Sequence, residues 1–286
     1  MSTQERRRMM VIATLLGVAV ISWLPFLQTK NTNCECLTIS FLDVGQGDSI
    51  LIETPDGFEM LVDGGPNAAV LRQLSKERSF FDREIDVVVT THPDLDHIGG
   101  LVDVLKRYKV QTILRTENEN DKSAAEAFAA AAQKESAEEI LADAGQVLQL
   151  GASTTIQIFS PTGDERQWES NASSIVLRVV YGNTSFMLTG DAPREIEDYL
   201  VKTYGTQLDS DVLKLGHHGS KTSTSEAWLD TVTPRYTVVS AGLDNKYGHP
   251  HQDVMQRVFA RNIQTSHTGT DGTVTFYSDG TKVWRE

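Results

Sequence analysis

Two strand-rich halves, each carrying helices on its outside, predict an α/β (α+β) fold: a sandwich of two mixed β-sheets flanked by helices, an αββα layering. Two observations lead there. Short apolar runs, each ending in Gly, Asp or Pro, recur from Leu37 to the carboxyl end. Segments with helical spacing follow the runs in both halves, so the layout of the first half is loosely repeated in the second. No boundary between the halves has linker composition, and residues 31–286 are read as one domain.

The elements follow in order. Arg6, Arg7 and Arg8 precede Met9 to Leu27, a 19-residue stretch without charge. That length suits a single transmembrane helix, and the positive-inside rule puts the amino terminus in the cytoplasm. Residues 1–30 are therefore expected to be a signal anchor, with everything beyond about Lys30 outside the cytoplasm. The alternative is a signal peptide cleaved from a secreted protein. Its apolar region would normally be shorter and followed by small residues, whereas Trp23, Pro25 and Phe26 sit here. Cys34 and Cys36 are the chain's two cysteines, so no disulfide framework holds the domain. A bridge between such near neighbours is expected to be strained, which favours intermolecular pairing, lipidation or free thiols.

LTISFLDV, SILIETPDG, FEMLVDGG and IDVVVTTH read as strands, IGGLVDVLKRY as a helix and VQTILRT as a strand. Residues 121–144 are Ala-rich and acidic, with no internal Pro, and predict a surface helix or helical pair, an insertion that could cover a site as a lid. The second strand set begins near Val147 and runs through TTIQIFS, SSIVLRVVYG and TSFMLTGD to a helix from about Arg194 to Tyr204. DVLKLG, a helix near Ser225 to Asp230, YTVVSAG, a helix from Gln252 to Ala260 and the hairpin GTVTFYSDGTKVW complete the chain.

Hydrophobic residues at 40% and charged residues at 23% exclude collagen-like, low-complexity and polytopic membrane classes. The formal charge of −13 argues against a polyanionic substrate. That objection weakens if several of the acids bind divalent cations, because the metals then set the local field.

The chemistry concentrates in THPDLDHIGG, where His92, Asp94, Asp96 and His97 close the apolar strand IDVVVT and open a helix. Alternating side chains at a strand end converge, so His92 with Asp94 and Asp96 with His97 could serve two adjacent cations. An N-cap for the following helix is the plainer explanation of Asp94 or Asp96. Against it, similar residues recur at other strand ends: Asp63 in LVDGG, Asp191 in LTGDA, His217 and His218 in LKLGHHGS, His249 and His251 in YGHPH. Six of the seven histidines thus lie in three short loops, which core packing does not explain. The seventh, His267, has no such neighbours and is assigned to the surface.

HPDLDH resembles the His-x-His-x-Asp-His signature of the metallo-β-lactamase superfamily, with Asp94 in place of the second His. With FLDVGQGDSILIETP, LVDGG, SIVLRVVYGNTSFMLTGDA, DVLKLGHHGS and the YGHP loop, the chain from Leu37 onward is similar to the extracytoplasmic hydrolase domain of ComEC-type DNA-uptake proteins. Those proteins also carry a many-helix membrane channel, so this chain, with one helix at most, is not a DNA channel by itself.

The resemblance implies two divalent metal ions, Zn or Mn. His92 and Asp94 would help bind the first, Asp96 and His97 the second, with Asp191 bridging. Asp94 enriches the site in oxygen ligands and tilts it from Zn toward Mn. The superfamily's third-motif His has no counterpart, and Asn171 is the nearest polar residue in that place. His217 is expected as a ligand, His218 as a ligand or substrate-facing acid, and His249 as completing the second metal. Asp63 would orient a ligating His. Lys214, Ser220, Ser223 and Asn245 are candidates for holding an anion. Two cations would lower the pKa of a bound water, Asp96 would orient or deprotonate it, and His218 or a metal-bound water would protonate the leaving group. The expected function is metal-dependent hydrolysis of a phosphodiester, most simply DNA outside the cytoplasm in concert with DNA-uptake machinery. Hydrolysis of a small ester or β-lactam, and a non-catalytic place in a DNA-uptake or envelope assembly, are the alternatives.

Overall fold

The computed structural model describes residues 35–79, 81–118 and 122–285. The expected span Met9–Leu27 lies outside them; among the described residues no helix is long and apolar enough to cross a membrane.

The strands form two mixed sheets. In the first, the order from edge to edge is Val283–Arg285 (β15), Val274–Ser278 (β14), Leu37–Phe41 (β1), Ile50–Glu53 (β2), Glu59–Val62 (β3), Glu84–Thr90 (β4), Lys109–Arg115 (β5) and Glu138–Leu141 (β6). In the second it is Gln264–His267 (β13), Tyr236–Val239 (β12), Val212–Lys214 (β11), Thr184–Leu188 (β10), Val176–Tyr181 (β9), Thr154–Ser160 (β8) and Val147–Leu150 (β7). Neighbours pair in parallel from β3 to β6 and from β10 to β13, and antiparallel elsewhere.

The two-residue period of a strand explains the layering. Ile50, Ile52, Met60, Val62 and Val89 face the core between the sheets, where they meet Phe186, Leu188, Val212 and Val238. The intervening Leu51, Leu61 and Val88 face outward onto Val70, Leu74, Leu101 and Val104 of the helices Ala69–Glu77 and Leu101–Arg107. Likewise Met187, Leu213 and Val239 face Leu200, Trp228, Val254 and Val258 of the helices Arg194–Tyr204, Glu226–Val232 and Gln252–Ala260. Because both faces of the central strands are buried, their sequences read as continuous apolar runs.

Several local expectations change. The Ala-rich segment is helical only over Lys122–Glu135. Ala124, Phe128 and Ala132 recur four apart, one stripe that packs on the first sheet. The chain then returns as β6, parallel to β5, with Glu139 accepting a hydrogen bond from Arg115 Nε at 2.7 Å. The segment is thus a strand–helix–strand crossover of the fold and not an inserted helical pair. The helix Ala69–Glu77 and the edge strand β13 were not expected. Cys36 is disulfide-bonded and buried, not a free or lipidated thiol. His267 is half-buried, and its Nδ1 accepts from the Gly269 N–H at 3.0 Å.

Candidate metal centre

The carboxyl ends of β3, β4, β10, β11 and β12 and the β1–β2 turn meet along one edge of the sandwich, and their loops are tied together through the main chain. Asp48 N–H donates to Asp96 O (3.2 Å), Gly65 N–H to Asp48 O (2.7 Å), Gly64 N–H to His97 O (2.7 Å) and Gly100 N–H to Gly65 O (2.8 Å). Such close passage needs glycine. A Cβ on Gly100 would lie 2.0 Å from Gly64 O, and one on Gly47, at φ +127°, would lie 2.1 Å from Asp96 O.

Asp48, His97, Asp191 and His218 are buried with ligand atoms all within 4.8 Å of one another. His97 Nε2 and His218 Nε2 stand 3.4 and 3.3 Å from Asp191 Oδ2. His218 Nε2 is also 3.4 Å from Asp96 Oδ2, and its Nδ1 3.4 Å from Asp48 Oδ1. His217 Nε2 lies 3.7 Å from Asp191 Oδ2, while its Nδ1 contacts Thr222 Oγ1 at 3.1 Å. On the other side His92 Nε2 is 3.7 Å from Asp94 Oδ2, and Asp94 Oδ1 accepts a hydrogen bond from Ser170 Oγ. His249 packs against the paired histidines, its ring centroid 5.5 Å from that of His217 and 6.2 Å from that of His218.

Asp63 shows why these rings point inward. It accepts from Thr91 N–H at 2.8 Å, from Thr91 Oγ1 at 2.6 Å and from His97 Nδ1 at 2.8 Å. Nε2 of His97 is thereby the nitrogen turned to the cluster. Thr91 Oγ1 in turn lies 3.0 Å from His92 Nδ1. His217 and His218 both adopt left-handed backbone, φ 47° and 55°. Two such non-glycine residues in succession cost on the order of 1 kcal/mol each, a strain characteristic of functional sites.

Electrostatics set the protonation of the cluster. Burial pushes the His92 imidazole down to about 3, with the charge of His97 adding to it. Burial also opposes charge on His97 and His218, but Asp191 together with Asp63 in the one case, and with Asp48 and Asp96 in the other, outweighs it and holds both well above the usual histidine range. Against burial, His218, His97 and Lys214 hold Asp191 well below the usual carboxylate range. Asp96 is likewise depressed despite burial, by His218 and His97. Burial raises Asp94, with Ser170 pulling the other way. Burial lowers His249 to about 4.

The donor set fits divalent cations. Nε2 of His92 and His97, both nitrogens of His218, Asp48 Oδ1, Asn171 Oδ1 and His249 Nδ1 are buried without a hydrogen-bond partner. The approaches to Asp191 are close but lack hydrogen-bond alignment. Each orphaned buried polar atom costs about 1–3 kcal/mol, so this many around one ionised carboxylate mark an ion site. His92 pairs with Asp94, while Asp48, His97 and His218 gather with Asp191, and Asp96 reaches that group through His218.

The residues expected to hold an anion do other work. Lys214 is fully buried: Nζ donates to Gly190 O at 2.8 Å, pairs with Asp48 Oδ2 and lies 3.5 Å from Asp191 Oδ1. Ser220 Oγ accepts from Thr222 Oγ1 at 3.0 Å, Ser223 Oγ donates to Ala192 O at 3.1 Å, and Asn245 closes its own loop. Asn171 begins a 3-10 turn, next to Ser170 and near Ser174, whose Oγ accepts from Asp191 N–H at 3.1 Å. His218, at 1% exposed, is enclosed by carboxylates and faces no opening, whereas the His217 side chain is 26% exposed. Asp48 was missed by the residue-level reading. Its signal was an Asp after Gly in a strand-connecting loop, the pattern also seen in LTGDA.

Residues 42–242 match the metallo-β-lactamase superfamily, and the chain belongs to that superfamily. Among curated proteins it is 30% identical over 255 residues to ComE operon protein 3 of Bacillus subtilis, covering 83% of this chain and 32% of that protein. It is 31% identical over 264 residues to competence protein ComA of Neisseria gonorrhoeae, covering 92% and 35%. These relatives are competence proteins of the ComEC type, and the chain spans about a third of their length. Among solved structures, Igni18, a metallo hydrolase from Ignicoccus hospitalis, superposes with a TM-score of 0.57 at 16% identity, covering 84% of this chain and 98% of that one.

Proposed function

We propose that the protein is a metal-dependent phosphodiesterase that cleaves DNA outside the cytoplasm, held to the membrane by Met9–Leu27. The observation that supports hydrolysis is the convergence of unpartnered imidazole nitrogens on the ionised Asp191. The competence relatives support DNA as the substrate, and the charge-free stretch behind three arginines supports the anchor and the orientation.

Divalent cations bound here would supply an activated water and charge neutralisation at the attacked phosphorus. His92, Asp94, Asp191 and Asn171 would hold one, and Asp96, His97, His218 and Asp48, sharing Asp191, the other. The remaining chemistry falls to groups with an open side. Asp96, about one-third exposed in its side chain with Oδ2 3.4 Å from His218 Nε2, would orient the attacking water and accept its proton. His217, whose Nδ1 contacts Thr222 Oγ1 and whose side chain is 26% exposed, would serve the leaving oxygen through Nε2. Asp63 and Thr91 orient rings, and Lys214 neutralises carboxylates from behind.

The test uses the full chain in mild detergent, incubated with single- and double-stranded DNA and either Mn²⁺ or Zn²⁺, beside an Asp94→Ala, Asp96→Ala variant. Metal-dependent cleavage lost in the variant supports the nuclease. Stoichiometric metal with intact DNA would turn the reading to another ester. Protease added to intact cells should reach the domain if it lies outside the cytoplasm.

A further inference from the structure

The loop Gly242–His249 crowns the metal centre and is built rigidly. Asn245 Nδ2 donates to Gly242 O (2.7 Å) and His249 O (2.6 Å), while Asn245 Oδ1 accepts from the N–H groups of Tyr247 (3.2 Å) and His249 (2.9 Å). One side chain thus closes the loop on itself. A further bond, Gly242 N–H to Gln46 Oε1 at 3.4 Å, ties it to the turn whose Gly47 packs on Asp96 O.

This closed loop holds an aromatic ring out in water. Tyr247 is 52% exposed although its ring lies against His249, centroids 5.6 Å apart and planes at 21°. His249 connects it to the paired histidines, so the ring stands one imidazole away from the catalytic cluster. Lys246 Nζ lies over the Tyr247 ring, 5.0 Å from its centroid, so this exposed side chain has to swing from the ring toward a phosphate when a base takes the face. A second exposed cation, Lys221, belongs to the adjoining loop, where its N–H donates to His251 Nδ1 at 3.2 Å. The loop itself carries one exposed acid, Asp244, beside Lys246.

A fixed, half-exposed aromatic ring flanked by cations is the chemistry that takes a nucleobase by its face and the neighbouring phosphates by charge. In a duplex each base face is covered by its neighbours, so the ring can receive a base only from a single or unstacked strand. We propose that Tyr247 is a stacking platform for an unpaired base, with Lys246 and Lys221 contacting the adjoining phosphates, and that single-stranded DNA is therefore the substrate the centre selects. This rests on the phosphodiesterase reading for its chemistry, but the binding step stands separately.

The experiment measures binding by the full chain in EDTA, using a single-stranded oligonucleotide with one 2-aminopurine and the same sequence as a duplex. Hydrolysis of bis(4-nitrophenyl) phosphate is followed in parallel with metal present. Tyr247→Ala should weaken single-strand affinity roughly 10- to 100-fold and abolish the quenching of 2-aminopurine. Tyr247→Phe should retain both, and duplex affinity should be the same in all three proteins. Wild-type affinity in Tyr247→Ala, equal losses for single strand and duplex, or no single-strand binding by the unaltered protein would each overturn the proposal. Failure to hydrolyse the small diester would instead count against the phosphodiesterase reading, and the oligonucleotide binding would still decide the stacking.

Discussion

Replacing Lys214 by Met tests the electrostatic construction of the centre. Met keeps the length and apolar stem of the side chain while removing the charge that faces Asp48 Oδ2 and Asp191 Oδ1. Both carboxylates are nearly inaccessible, 1% and 2% exposed, so solvent cannot replace the lost partner. Breaking a buried pair from one side costs about 3–5 kcal/mol, which for a domain of this size lowers the thermal midpoint by about 6–20 °C. The pH dependence follows from Asp48, which Lys214, His218 and His97 hold below the usual carboxylate range against burial. A depressed carboxylate stabilises the fold above its unfolded pKa of about 4 and loses that contribution as pH falls through the lower folded value. The gap between Lys214→Met and the unaltered protein should therefore be widest near pH 7 and narrow below about pH 4. Divalent cations should narrow it as well, because they neutralise the same carboxylates. Urea unfolding in EDTA and in Mn²⁺ at several pH values provides the assay. A variant within about 1 kcal/mol of the unaltered protein at pH 7 in EDTA would refute the argument.

Other perturbations separate ligands from their supports. Asp191→Asn should lower bound metal, measured by inductively coupled plasma mass spectrometry, and reduce kcat at least roughly 100-fold. Asp63→Ala frees His97 Nδ1 and two Thr91 donors, and should weaken metal affinity by about 10- to 100-fold in a chelator competition while the protein still binds metal at saturation. Glu197, 2% exposed, accepts the backbone N–H groups of Thr224 and Ser225 beyond the paired histidines. Glu197→Ala should cost about 1–3 kcal/mol in urea unfolding, and an unchanged midpoint would show that these bonds add nothing. Gly47→Ala drives a Cβ into the Asp96 carbonyl, so activity should fall sharply; full activity would mean that the turn can move aside.

Much of the molecule was legible in one dimension because strands announce themselves locally. Apolar runs such as DVVVT and SFMLT are continuous since both faces are buried, and DVLKLGHHGS and LTGDA end such runs with polar residues that a core would not tolerate. Those signals carried the αββα layering and put His92, Asp94, Asp96, His97, Asp191, His217 and His218 on one edge. The Ala-rich segment misled because Ala, Glu and Lys dominate helix propensity, whereas the strand EEIL after it exists only through its pairing with β5.

What only the tertiary structure decided were the relations between loops distant in sequence. Asp48 joins the cluster because Gly47 lets its turn lie on Asp96 O, a contact across about fifty residues. Lys214 carries the same one-letter identity whether it holds a substrate phosphate or neutralises Asp48; burial makes it the latter. His217 and His218 are adjacent and chemically identical, and two left-handed residues enclose one while leaving the other partly open. Residue type and local pattern state which chemistry is available, but charge pairing, burial and direction depend on what lies opposite, and that is set by the packing of the two sheets.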